Sequence, residues 1–238
     1  EGPHRALRSP REEEQHRMVE SLQSFWEYFQ KQLDNDSFTE ALFQHATYVV
    51  LVTISATVIS VSLGVAVRHR PVAREVALGI ASVFLTFPSL ALFTLFIPIL
   101  GLGFKPAFVA LLLYALLPIM RNTVTGLNGV SPDVLESAKG MGLSSTERLF
   151  KVELPLAWPV IITGIRVSAL LTTGIAAIAT LIAGGGLGDF IKKGLSRLGL
   201  PNSLEAIWVG TLGTIALALV IDLIFVGIRR ATTPRGIR

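Results

Sequence analysis

"SPDVLESAKGMGLSSTERLFKVELP", residues 131–155, is a charged interval set between long apolar runs. Ser131 is a favoured N-cap residue, and Pro132 suits the first helical position, where no intrahelical N–H partner exists. Asp133 in the first turn complements the helix dipole. Val134, Leu135, Ala138 and Met141 give a short apolar face. Gly142 then stops the helix, because glycine accepts the left-handed backbone of a helix C-terminus. Ser144 or Ser145 can cap a second helix, with Glu147 completing the cap. Leu149, Val152 and Leu154 continue an apolar face up to Pro155. The pattern predicts two short helices with a bend at Gly142, lying at a membrane surface.

The membrane follows from what flanks the interval. Of 238 residues, 51% are apolar and 16% charged, with mean hydropathy +0.59. Soluble domains carry about 25% charge. Apolar runs cover 46–67, 76–100, 106–120, 157–183 and 206–228. A helix needs about 20 apolar residues to span a bilayer. The reading is an all-α membrane protein with five transmembrane helices, the third run being the shortest. Arg166 and Asp222 are the charges inside the last two runs. Arg166 lies seven residues after Pro159 and Asp222 seven before Arg229, each about 10 Å at 1.5 Å per residue. A buried charge is costly, so the two are expected to pair between the fourth and fifth spans.

Basic residues set the orientation. Arg68, Arg70, Arg74, Arg121, Lys139, Arg148, Lys151, Arg229, Arg230, Arg235 and Arg238 fall in loops on one side, and Lys105, Lys192, Lys193 and Arg197 on the other. By the positive-inside rule the first side is cytoplasmic. The N-terminus is then outside, the C-terminus cytoplasmic, and 131–155 a cytoplasmic loop. Basic excess in short loops reads as topology, not as nucleic-acid binding. The organisation expected is a polar tail or extension over 1–17, an extracytoplasmic amphipathic helix over 18–44, a transmembrane domain over 45–230 with an outer glycine-rich loop at 183–203, and a basic cytoplasmic tail over 231–238. Val19, Leu22, Phe25, Trp26, Phe29 and Leu33 share one helical face, suited to lying in the lipid interface.

Several chemistries are excluded or unsupported. With no cysteine there is no disulfide, thiolate metal site or thiol nucleophile. His4, His16, His45 and His69 show no ligand spacing and read as surface histidines, so no metal site is expected. No G-x-x-x-x-G-K-[ST] occurs, so the chain has no phosphate-binding loop of its own. A membrane enzyme would need a clustered nucleophile or acid–base set near the spans. An ion-coupled carrier would show several intramembrane ionisable groups and internal repeats.

Glu136-Ser137-Ala138, then Gly142, then Val152-x-Leu154-Pro155, resembles the cytoplasmic "EAA" loop of ABC-importer permeases, pattern E-A-A-x3-G-x9-I-x-L-P. Ser137 stands for the family's alanine and Val152 for its isoleucine. Residues 86–127, beginning "TFPSLALF", and 182–195, "IAGGGLGDFIKKGL", look like the subfamily importing glycine betaine, carnitine or choline. The resemblance covers nearly all of 45–230. It implies the binding-protein-dependent type I permease fold in a bacterial cytoplasmic (inner) membrane. It also implies two ATP-binding subunits carrying ATP and Mg, a second permease, identical or sister, and an extracytoplasmic solute-binding protein. Glu136, Ser137, Ala138, Gly142, Leu154 and Pro155 would form the ATPase-coupling element. Gly184, Gly185, Gly186 and Gly188 would close the outer mouth. Ser89, Tyr114, Asn122, Thr173 and Thr180 are the polar candidates along the spans for a substrate pathway. Permeases for methionine, phosphonate or nitrate share the loop spacing and are the alternatives.

If Glu136 is the docking charge, Glu136→Ala or Glu136→Lys lowers uptake per inserted molecule while insertion itself is little changed. Uptake and membrane content measured on the same vesicles check this, and normal uptake removes Glu136 from the coupling role.

Overall fold

A computed structural model of the chain describes residues 10–233, with side chains from residue 13 onward. Part of the 1–17 segment, His4 included, and Arg235 and Arg238 of the 231–238 tail lie outside the described residues. Among the described residues the structure is helical, with no strand.

Helix α1 runs Pro10–Asp34 without interruption at Met18, so the 17/18 boundary falls inside one helix. A left-handed Asp36 (φ 56°) turns the chain into α2, Ser37–Val67. The first span therefore starts within the 18–44 segment. Phe25, Tyr28 and Phe29 of α1 join Phe38 in the apolar cluster around Leu187 and Phe190, and the Phe29–Phe38 rings meet edge-on at 5.2 Å. Trp26 and Leu22 remain exposed.

The second apolar run is one stretch in sequence but two helices in space. Helices α3 (Pro71–Thr86) and α4 (Ser89–Leu100) meet at 100°. Pro88 causes the break: its ring disfavours helical backbone at Phe87, which is extended (φ −67°, ψ 139°). The carbonyl of Phe87 accepts a 2.7 Å hydrogen bond from the buried Tyr114 hydroxyl. Four further segments are long and apolar enough to span: α2, α5 (Phe104–Asn128), the helical run Ser145–Ile182, and α10 (Ser203–Thr232).

Contacts between helix ends fix which ends share a side. Arg68, ending α2, meets Glu153, which precedes α8 (Leu154–Ala176). Tyr48, near the start of α2, donates to Gly184 O beyond α8. Gly103, opening α5, donates to Ile182 O. The path from Arg68 to Gly103 therefore passes from one side to the other, so α3 and α4 together make one crossing. Trp158 Nε1 donates to Thr232 Oγ1, which puts the end of α10 with the start of α8. The total is five crossings, with α1 and the glycine loop on one side and 131–155 and Thr232 on the other.

Helix α5 occupies the centre, between α2 and α8, and its buried face is rich in alanine: Ala107, Ala110 and Ala115. Small residues let membrane helices approach closely. A Cβ on Gly64 of α2 would stand 2.7 Å from Thr123 Cγ2. One on Gly164 of α8 would stand 2.6 Å from Asn122 Cβ and 2.7 Å from Pro118 O. Ser60 and Ser168 donate to the α5 carbonyls of Leu116 and Ala115, each at 3.0 Å.

The 131–155 interval contains α6 (Pro132–Gly140) and α7 (Ser145–Arg148). Gly142 has φ +82°. Its N–H donates to Lys139 O and that of Leu143 to Ala138 O, the paired bonds of a Schellman ending. Ser131 precedes α6 without a side-chain cap. The capping box expected at Ser144 is formed: Glu147 N donates to Ser144 Oγ, and Ser144 N to Glu147 Oε2. The second helix differs from the expectation. It does not stand apart on the surface, because a π-helical turn, Leu149–Glu153, joins it directly to α8.

Gly164→Leu should open the α5–α8 crossing, at a cost of about 1–3 kcal/mol or more. A lower detergent-solubilised melting temperature than wild type, with Gly79→Leu (open space around its Cβ position) near wild type, is the expected result.

Candidate functional site: the lever at 131–155 and the polar contacts of the spans

The proposed coupling residues divide by exposure. Glu136 and Ser137 are exposed, and the Ser137 hydroxyl donates to Asp133 O at 2.8 Å. Ala138 is buried and anchors α6. Met141 and Phe150 are exposed on either side of the Gly142 bend. Leu154 and Pro155 open α8, with Leu154 against the core and Pro155 exposed. The lever thus presents the carboxylates of Asp133, Glu136 and Glu147 and the apolar Met141 and Phe150 to whatever lies beyond the membrane. Lys151 Nζ lies 2.9 Å from Glu147 Oε1. The Lys151 and Ser144 hydrogen bonds hold the Glu147 carboxyl down at about 2, against an ordinary 4.5. A carboxyl depressed in the folded state stabilises α7 above its free value and loses that contribution as pH falls toward about 2.

Glu153 escaped the sequence reading. It is 3% exposed and lies between two arginines. Its Oε1 is 3.1 Å from Arg148 Nε and its Oε2 3.3 Å from Arg68 Nε. The one available signal was an acid directly before an apolar span, on the side where basic residues dominate.

Inside the membrane the structure brings Arg166 and Asp222 together as a two-pronged pair. Arg166 Nε donates to Oδ1 at 2.6 Å and Nη2 to Oδ2 at 2.8 Å. This fork-on-fork geometry joins α8 to α10 with planar complementarity that lysine cannot supply.

The five polar candidates for a substrate pathway sit on α4, α5, α8 and the turn after α8. Ser89 opens α4, half-buried. Tyr114 is committed to the Phe87 carbonyl. Asn122 Nδ2 donates to Pro118 O at 2.8 Å, and Thr173 Oγ1 donates to Ala169 O at 2.8 Å within its own helix. The Thr180 hydroxyl hydrogen-bonds the Asp189 carboxylate. Tyr114, Asn122, Thr173 and Thr180 each have an internal partner in the single chain.

The glycine loop is stitched to α2. Gly186 N donates to Gln44 Oε1 at 3.1 Å, and Tyr48 Oη to Gly184 O at 2.7 Å. His45, fully buried, bonds Thr173 O through Nε2 at 2.9 Å and packs against Gly186. Gly185 and Gly186 have φ +77° and +90°, and a Cβ on Gly184 would lie 2.6 Å from Ala179 O. The loop leads into α9, Gly188–Leu195. Gln44 and Tyr48 were not singled out in sequence, and His45, expected at the surface, is instead buried, because the partners of all three lie 128 to 142 positions away. Among the described residues no three His, Asp or Glu side chains group as metal ligands.

The described residues form an all-helical bundle of five crossings, with the short helices of 131–155 between the third and fourth. Residues 56–233 match the model of the binding-protein-dependent transport system inner membrane component family. The chain belongs to that family and is a multi-pass inner-membrane protein that works with other transporter subunits. It is 42% identical over 196 residues to the choline transport system permease protein OpuBB of Bacillus subtilis, covering 82% of this chain and 88% of that one. It is 41% identical over 213 residues to the osmoprotectant import permease protein OsmW of Salmonella typhimurium, covering 87% and 97%. It is 40% identical over 195 residues to the B. subtilis glycine betaine/carnitine/choline permease OpuCB, covering 82% and 88%. The fold superposes on a chain of the inward-facing MetNI methionine ABC transporter with TM-score 0.72, at 22% identity over 83% of this chain and 96% of that one.

Two outcomes are expected. Arg166→Asp and Asp222→Arg each reduce folded yield, since an unpaired charge at depth costs up to about 3 kcal/mol, and the double swap restores part of it. Carbon-13 NMR of Glu147 gives a midpoint far below 4.5, and Lys151→Ala raises it.

Proposed function

We propose that the chain is the translocating subunit of an ATP-driven importer for a quaternary-ammonium osmoprotectant: glycine betaine, carnitine or choline. The observation that carries this is the identity of 40–42% to relatives named for those solutes, over more than four-fifths of the chain. The MetNI likeness concerns the fold and does not favour methionine.

In this reading the 131–155 lever is cytoplasmic and docks an ATP-binding subunit that supplies ATP and Mg chemistry. Glu136 is the docking charge and Gly142 the bend. The N-terminal helix α1 and the glycine loop 183–203 face outward, toward a solute-binding protein. A second permease, a copy or a sister, completes the pathway, and this chain catalyses no reaction itself. ATP binding draws the ATPases together, the levers move with them, the inner side closes and the outer side opens to the loaded binding protein. Hydrolysis returns the inward-open state. Arg166–Asp222 is a structural clamp between α8 and α10 in this scheme, not a solute ligand, because both carboxylate oxygens accept from the guanidinium.

The test is co-purification with the ATP-binding subunit and binding protein in lipid nanodiscs, then ATPase assayed with glycine betaine, carnitine, choline and methionine. Stimulation by one or more of the first three is expected. Stimulation by methionine alone overturns the substrate class.

A further inference from the structure

We propose that Glu153 is the joint through which the α6–α7 lever moves the end of α2. The Arg68–Glu153–Arg148 cluster is then a transmission element between the ATP-driven partner and the membrane helices. The inference rests on the reading that 131–155 docks that partner.

The cluster unites three elements distant in sequence. Arg68 caps the C-terminus of α2, and its Nη1 donates to Val65 O at 2.9 Å, so the guanidinium is oriented by α2 itself. Arg148 ends α7, on the lever. Glu153 ends the π-helical turn, on the span side. One carboxylate oxygen faces each arginine, at 3.1 and 3.3 Å, and the Glu153 side chain is 4% exposed. The carboxylate therefore bridges the π turn and also ties both its ends to α2.

Stability alone is a weak reason for such a cluster, since apolar residues of similar volume often replace a buried ionic group at no loss. Its location supplies a reason. The π turn is closed by the long Leu154 N–H to Leu149 O bond. Such turns are rare and sit at functional positions, because the helix can yield there. A lever joined to its span only through a yielding turn would rotate without moving the bundle. With Glu153 holding Arg148 and Arg68, displacement of α7 is delivered to α2, which packs along the whole of α5.

The chain has no cysteine, so it adds no background label of its own. Exposed Thr146 on α7 and exposed His69 beyond α2 are changed to cysteine and spin-labelled in the complete complex in nanodiscs. With Glu153 intact, the distance stays narrow and unchanged between nucleotide-free and ATP-bound states, because lever and α2 end move together. In Glu153→Gln the distribution broadens. Uptake per ATP hydrolysed then falls about tenfold, as loss of a charge-assisted contact implies, while the complex still co-purifies. An unchanged distance and ratio overturns the inference. So does a fall in yield and melting temperature with the ratio unchanged, which marks a purely structural role. If Glu153→Gln does not assemble, Arg148→Lys decides: a lower uptake per ATP supports the joint and an unaltered one overturns it. A wild-type complex lacking solute-stimulated ATPase overturns the functional reading and this inference with it. A stimulated wild type with normal Glu153→Gln coupling overturns this inference alone.

Discussion

Close approach of α2 and α8 to the two sides of α5 is the contact on which the other features depend. In lipid there is little hydrophobic drive to bring helices together, so packing and interhelical hydrogen bonds must do it. Gly64 and Gly164 remove the atoms that would hold the helices apart. Ser60 of α2 and Ser168 of α8 then reach the carbonyls of Leu116 and Ala115. Once α5 is gripped there, Tyr114 is placed to accept the broken span, and the start of α8 is placed beside the end of α2.

The broken span is a second consequence of membrane chemistry. Irregular backbone within a bilayer must be satisfied by protein or water. Pro88 makes the break, but the Tyr114 hydroxyl makes its Phe87 carbonyl tolerable. Pro118 and Pro159 sit inside α5 and α8 without comparable bends. Proline alone therefore does not set the angle at Phe87. The extended Phe87–Pro88 pair and a partner at the right depth do.

The number of crossings, the lever with its bend and the membrane pair were legible because each rests on local or one-dimensional signals: run length, glycine position, a lone charge at a countable depth. Arg166 and Asp222 were readable as partners since each was the single charge in its run at matching depth. The break at Phe87 was not, because the apolar composition of 76–100 is continuous and its bend depends on a partner 27 positions later. Nor was Glu153, whose meaning requires Arg68 from another helix. Polar residues in spans read alike in sequence whether they face a cavity or their own helix, so the bonds of Tyr114, Asn122, Thr173 and Thr180 were not legible either.

The stitching of the glycine loop to α2 bears on how that end of the molecule can move. A free glycine-rich loop would fluctuate in nanoseconds, as a flap. Gln44 and Tyr48 hold two of its backbone groups, and Gly186 lies against His45. The loop therefore behaves as part of the α2 surface. Displacement there is a rigid-body matter of the bundle, on the microsecond-to-millisecond scale of collective helix motions. Its rate is set by how α2 slides on its neighbours, not by the suppleness of four glycines.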